Sequence, residues 1–239
     1  MCGITGIINL INPTIERAVL KQMTDAITSR GPDDEGFFFA NHVGLGQRRL
    51  SIIDLATGHQ PMTTADGRYT MTFNGEIYNY RELREPLIKS GAQLKTTSDT
   101  EVVLELFARE GVACLDRLNG MFAFAGWDVV DKKLFAARDR MGKKPFYYSL
   151  VGDSFVFGSE LKALLKFPQL KKEIDPFGVR LFLTYECLPA PHTIIKDVHK
   201  LKQGHFLTFS SSGTQIQRYW NQRFAQKTDD SFETAQKKI

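Results

Sequence analysis

With 239 residues, 42% of them hydrophobic and 24% charged, the chain can bury one large core or two small ones and has an ordinary globular balance. Its net charge of +4, from 31 basic and 27 acidic residues, contains no long like-charge block, which argues against nucleic acid as a partner. No apolar run reaches the roughly 18 residues of a spanning helix, the N-terminus lacks the order of a signal peptide, and three scattered cysteines fit neither a disulfide framework nor a zinc site. The expectation is a cytoplasmic protein that meets no membrane.

The chain starts Met1-Cys2-Gly3-Ile4-Thr5-Gly6-Ile7, which reads as a strand from Gly3 to Asn9 closed by Asn12-Pro13. Thr14 is positioned to cap a helix to about Ser29, with Ile15, Val19, Met23 and Ile27 on one face. Arg30 to Gly36 is a turn-rich loop, followed by strands over Phe37–Ala40 and Val43–Ile53. Adjacent side chains on a strand point to opposite faces, so only one of Arg48 and Arg49 can face an interior site. Gly58 to Asp66 reads as loop, and Tyr69–Phe73 as a strand running into Asn74-Gly75-Glu76. Helices are expected from Asn79 to Ser90 and from Ser98 to Gly111, the second burying Val102, Val103, Leu106 and Phe107. A short helical turn places Cys114 in the core as an inert thiol.

Strands at Gly120–Asp128, Lys133–Arg138, Pro145–Val151 and Ser154–Gly158 follow as hairpins. After a short helix at Glu160–Lys166, Asp175-Pro176 opens another through Leu183, and a Pro-containing connector leads to a last hairpin, His205–Ser210 with Thr214–Trp220. From Asn221 the chain is polar and ends on a helix start at Asp230-Ser231-Phe232-Glu233. Many antiparallel-type strands with inserted helices indicate an α+β class rather than regular βαβ winding.

Familiar sites are absent. There is no phosphate-binding G-x-x-x-x-G-K-[ST], Gly44-x-Gly46 lacks the third glycine of a dinucleotide fingerprint, and no G-x-S-x-G elbow occurs. The five histidines have no ligand spacing, so no metal is expected. A nucleophile here would need a base other than histidine. Removing Met1 would leave Cys2 with a thiol and a free α-amine on one residue; such amines ordinarily titrate near about 7.7–8.0, close enough to a thiol to take its proton. The Asn74 amide and the Gly75 N–H could hold an oxyanion, although Asn-Gly is also the commonest turn dipeptide. Arg49 could clamp a carboxylate and Asp99 an ammonium, although Asp99 also reads as a helix cap.

Taken together, Cys2-Gly3-Ile4, Arg30-Gly31-Pro32-Asp33, Arg49-Leu50-Ser51-Ile52-Ile53-Asp54, Asn74-Gly75-Glu76-Ile77-Tyr78-Asn79 and Ser98-Asp99 resemble, in order, the motif series of the class II glutamine amidotransferases, which are N-terminal nucleophile hydrolases. Leu118 to Phe124, Ala137 to Gly142, Lys144 to Tyr148 and Ser159 to Leu164 resemble the asparagine synthetase branch. The resemblance implies a four-layer αββα sandwich, with two antiparallel sheets between helical layers, over residues 2–220. It implies that Cys2, Asn74 and Gly75 carry catalysis, and that Arg49, Leu50, Ser51, Ile52, Ile53, Asn74, Gly75, Glu76 and Asp99 bind glutamine.

No cofactor is expected in this domain. ATP and Mg belong, by the same resemblance, to a C-terminal synthetase domain whose pyrophosphate loop this sequence lacks, so residues 221–239 are expected to be a linker and the start of that domain. That domain would be the partner, and a homodimer is compatible with the family. The ammonia would amidate aspartate; a different carboxylate acceptor, in cell-wall or exopolysaccharide chemistry, and a non-catalytic interaction remnant are the alternatives.

Overall fold

Most strands of this chain are apolar on both faces because both faces are covered. The computed structural model describes residues 2–51, 57–222 and 228–238. One six-stranded sheet contains β1 (Gly3–Asn9), β2 (Asp34–Ala40), β3 (Val43–Arg49), β8 (Tyr147–Val151), β9 (Ser154–Gly158) and β10 (His199–Lys200), in the order β10-β8-β9-β1-β3-β2. The other contains β4 (Met62–Thr63), β5 (Tyr69–Ile77), β6 (Gly120–Asp128), β7 (Lys133–Arg138), β11 (His205–Ser210) and β12 (Gly213–Arg218), in the order β12-β11-β7-β6-β5-β4. Every pairing is antiparallel.

The period-2 alternation of side chains assigns the layers. On β1, Ile4 and Ile8 join Val43 and Leu45 of β3 in a core shared with Ala123, Ala125 and Trp127 of β6, so these side chains fill the space between the sheets. Ile7 points the other way, onto Val19, Leu20 and Met23 of α1 (Arg17–Asp25) and Leu164 of α5 (Leu161–Leu164). On the second sheet Phe73, Phe122 and Phe124 point outward onto Leu83 and Leu87 of α2 (Tyr80–Lys89) and Val102, Val103, Leu106 and Phe107 of α3 (Asp99–Glu110). Helix, sheet, sheet, helix is the four-layer αββα sandwich that the resemblance implied. The thiol of Cys114, in α4 (Cys114–Arg117), is buried, and burial pushes it up to about 12, as suits an inert core residue.

Several boundaries differ from expectation. The first helix begins at Arg17, not Thr14, and its last stretch becomes a separate 3₁₀ turn, Thr28–Arg30. β3 stops at Arg49 rather than Ile53. β5 runs through Asn74-Gly75-Glu76 to Ile77, so that dipeptide is strand and not turn, with Asn74 opposite Ala123 and Gly75 opposite Phe122. Pairing with a full-length β6 outweighs local turn preference there. A Cβ on Gly75 would run into the Met121 carbonyl and the Phe122 backbone, so the neighbouring strand explains the glycine. Ser98, not Asp99, caps α3 by accepting the Thr100 N–H, which leaves Asp99 free of that duty. The short β4 and β10 fell in stretches read as loop. α6 (Pro176–Tyr185) is capped by Asp175 as expected, and α7 (Phe232–Lys237) by Ser231.

One carboxylate ties the second sheet to the turn after β7. Asp139, only 1% exposed, accepts four backbone N–H groups: Met141 and Lys143 on Oδ1, each at 3.0 Å, and Phe122 and Lys144 on Oδ2, at 3.2 and 3.0 Å. Asp139→Asn would turn an NH₂ toward two of those donors. Urea unfolding of that variant is expected to show a loss of about 2–4 kcal/mol with an unchanged slope; a loss below about 0.5 kcal/mol would contradict a structural role for the carboxylate.

Candidate active site

The functional candidates gather where the inter-sheet core opens at one end. Cys2 has the parity of Ile4 and Ile8, Arg49 that of Val43 and Leu45, and Asn74 the parity opposite to Phe73, so all three belong to the inward-facing sides of their sheets. There a cleft of about 220 Å³ is lined by Cys2, Arg49, Leu50, Asn74, Gly75, Glu76 and Asp99, joined by Gln60, Met121 and Lys144. That volume is below the roughly 300–1,000 Å³ of sites for drug-sized ligands and suits a smaller molecule.

Cys2 is partly exposed and its thiol donates to the Leu50 carbonyl at 3.6 Å. Its position is fixed from behind. Arg30 Nε donates to the Cys2 carbonyl at 2.8 Å, while Arg30 Nη1 pairs with Glu160 at 3.1 Å. Two residues further on, Ser159 Oγ accepts the Ile4 N–H and Ser159 N–H donates to the Ile4 carbonyl, both at 2.9 Å.

The two arginines separate as strand geometry requires. Arg48 turns toward α1, where it pairs with Asp25 and, at 2.8 Å, with Glu35; Arg49 is 4% exposed and lines the cleft. The loop Arg30–Asp33 holds the end of β3 in place. A Cβ on Gly31 would strike the peptide between Arg48 and Arg49, Asp33 N–H donates to the Arg49 carbonyl at 3.1 Å, and Asp33 Oδ2 accepts the Ser51 N–H at 2.9 Å. Ser51 is thus tied to Asp33. Ile52 and Ile53, the other two expected binding residues, lie outside the described residues.

Asn74 is 1% exposed, and neither its Oδ1 nor its Nδ2 has a partner among the described residues. A buried primary amide without partners is costly, and a ligand in the cleft would satisfy it. Asp99 is 5% exposed; its Oδ2 accepts the Ile77 N–H at 2.9 Å. Burial pushes the Asp99 carboxyl above the usual carboxylate range; the N–H groups of Ile77 and Thr100 pull the other way, and the charge of Glu76 adds to the rise. Glu76 itself is half-buried on the cleft wall.

Among the lining residues that sequence reasoning did not assign to the site are Gln60, Met121 and Lys144. Gln60 accepts the Phe73 N–H at 2.7 Å and donates to Thr100 Oγ1 at 3.1 Å, bracing the walls that carry Asn74 and Asp99. Lys144 is 5% exposed. It lay inside a motif quoted above, but nothing in its spacing showed that it lines one cleft with Cys2. Among the described residues no group of three or more His, Cys, Asp or Glu side chains is arranged to hold a metal ion, and no helix is long and apolar enough to cross a membrane.

A family model described as "Glutamine amidotransferase domain" matches residues 1–220. The chain is 43% identical over 237 residues to asparagine synthetase [glutamine-hydrolyzing] 3 of Bacillus subtilis, covering 98% of this chain and 38% of that protein. It is 39% identical over 243 residues to a putative asparagine synthetase [glutamine-hydrolyzing] 2 of Methanocaldococcus jannaschii, covering 92% of this chain and 46% of that one. The chain therefore spans less than half the length of these relatives. In fold it is similar to the glutamine phosphoribosylpyrophosphate amidotransferase of B. subtilis, with a TM-score of 0.67 at 19% identity, covering 92% of this chain and 49% of that one. A family model that spans residues 1–220 settles the membership: the chain belongs to the glutamine amidotransferase domain family.

Proposed function

We propose that this chain hydrolyses glutamine as the ammonia-producing part of an asparagine synthetase-like enzyme, with Cys2 as nucleophile. The observation that carries the reading is the cleft's composition. A thiol and a buried amide without a partner among the described residues share it with the buried Arg49 cation and the buried Asp99 anion, which complement the amide and the two charges of free glutamine; the second buried cation, Lys144, is left over. Arg49 would take the α-carboxylate, Asp99 with Glu76 the α-ammonium, and Leu50 would pack alongside.

Once Met1 is removed, the Cys2 α-amine accepts the thiol proton and the thiolate attacks the side-chain amide carbon of glutamine. The carbonyl oxygen becomes an oxyanion held by Asn74 Nδ2 and the Gly75 N–H. The C–N bond breaks, the protonated α-amine returns its proton to the departing nitrogen, and ammonia leaves behind a γ-glutamyl thioester. Water then cleaves the thioester, releasing glutamate and restoring Cys2. No metal is required by this sequence of steps.

Two observations support a partner domain that consumes the ammonia. The relatives are more than twice as long as this chain. Helix α6 also leaves Phe182, Leu183 and Tyr185 between 50% and 77% exposed, an apolar face of the kind that another domain covers. Amidation of aspartate is the reading the named relatives favour for the full-length enzyme.

Three outcomes test the proposal. Glutamate release from glutamine should be abolished by Cys2→Ala, and Asn74→Ala should lower kcat about 10²–10³-fold while leaving the folded state intact. Equal activity of Cys2→Ala and the parent would overturn the nucleophile assignment.

Asp99→Asn keeps an acceptor for the Ile77 N–H but removes the charge. Its KM for glutamine should rise at least about tenfold. Because the folded-state carboxyl titrates above its unfolded value, ionised Asp99 lowers stability as pH rises through that interval. The asparagine variant should therefore melt no lower than the parent at neutral pH. In the parent, KM should begin to rise on acidification while the pH is still above the usual carboxylate range, as Asp99 takes up its proton; an unchanged KM down to about pH 4 would remove Asp99 from ammonium binding.

A further inference from the structure

The mechanism above uses every charged residue of the cleft except Lys144, and Lys144 is held there with unusual care. Its backbone is fixed at both ends: its N–H donates to Asp139 Oδ2 at 3.0 Å and its carbonyl accepts Arg138 Nε at 2.7 Å. Arg138 also donates to the carbonyls of Gly142 and Leu201, at 2.6 and 2.7 Å, closing a turn in which Gly142 has φ +67°. This network directs a lysine side chain, 5% exposed, into the cleft that holds Cys2. No carboxylate lies within ion-pair distance of its ammonium among the described residues.

The other charges near the thiol are engaged elsewhere. Arg30 approaches Cys2 on its carbonyl side and is paired with Glu160. Both oxygens of Asp139 are occupied by backbone N–H groups. Arg49, Glu76 and Asp99 belong to the stretch of lining that the proposed mechanism gives to the amino-acid charges. Burial pulls the Lys144 amine down and the charge of Arg30 adds to that, whereas negative charge on Cys2, Glu76 and Asp139 favours the ammonium.

We propose that the Lys144 ammonium tunes the nucleophile: its field favours the thiolate form of Cys2 after the thiol proton has passed to the α-amine. The interaction is reciprocal, since a thiolate that stabilises the ammonium is stabilised by it equally. Lys144 forms no bond in the reaction and gives up no proton. This inference rests on Cys2 being the nucleophile.

The test is alkylation of the full chain, Met1 removed, by iodoacetamide without glutamine, across the pH range in which thiols titrate. Peptide mass spectrometry reads Cys2, exposed Cys187 and buried Cys114 in one sample. Cys187 serves as reference, and an unlabelled Cys114 reports an intact core. In Lys144→Met the Cys2 rate at neutral pH should fall about tenfold and its pH profile move upward, with the Cys187 rate unchanged. Lys144→Arg should restore the parent profile. If the methionine variant labels Cys114, Lys144→Gln takes its place against Lys144→Arg.

Coincident Cys2 profiles in charged and neutral variants would overturn the inference while leaving glutamine hydrolysis by the parent untouched. A parent chain that neither labels at Cys2 nor releases glutamate would overturn both.

Discussion

A chain end is ordinarily the loosest part of a domain, yet here Cys2, the proposed nucleophile, is held at a fixed point. The constraint that makes this possible is the placement of β1. It lies inside its sheet, paired antiparallel with β3 from Gly3 to Ile8 and with β9 from Thr5 to Asn9. Residues Gly3 to Ile8 are all buried, and Arg30, Ser159 and Glu160 complete the hold on the first turns of backbone. The stability of the whole sandwich is thereby applied to a residue that sits one position from the chain's start. Few arrangements let a terminal thiol be as well placed as a side chain in mid-strand.

The charged groups of the cleft illustrate how the same frame handles polar burial. Arg49 and Asp99 are nearly inaccessible, and each is supported by backbone held elsewhere: the Asp33 contacts fix the end of β3, and the Ser98 cap fixes the start of α3. Asn74 is the exception, an amide with both ends unsatisfied. Structures tolerate such a group when something outside the protein completes it.

Local pattern made much of this visible. The opposite orientations of Arg48 and Arg49 follow from strand periodicity alone, and the helices over Tyr80–Lys89 and Asp99–Glu110 were legible from their apolar stripes and caps. Where local composition allowed a second reading, a distant partner decided against it. Asn74-Gly75 has the composition of a turn, but β6 supplies a full ladder opposite it. Asp99 has the composition of a cap, but Ser98 is one residue better placed. Lys144 and Gln60 were invisible for a related reason. Their importance depends on contacts with residues far away in sequence, and neither residue type nor spacing records which way a side chain leaves a turn.

The proposed nucleophile and the proposed oxyanion donors come from different sheets: Cys2 and Arg49 from one, Asn74 and Gly75 from the other. What separates them is the hydrocarbon layer between, in which Ala123, Ala125 and Ala136 face Ile4, Ile8 and Leu45, and which the Gln47 amide bridges to the Phe73 carbonyl at 3.2 Å. Those small side chains let the sheets approach closely, so the thickness of the layer acts as a spacer gauge for the reaction. Ala123 sits directly across the ladder from Asn74, so a larger side chain there would press the two sheets apart beside the cleft. Packing between the sheets thus sets the distance between Cys2 and the Asn74-Gly75 pair, which ties core volume in this fold to the proposed chemistry as well as to stability.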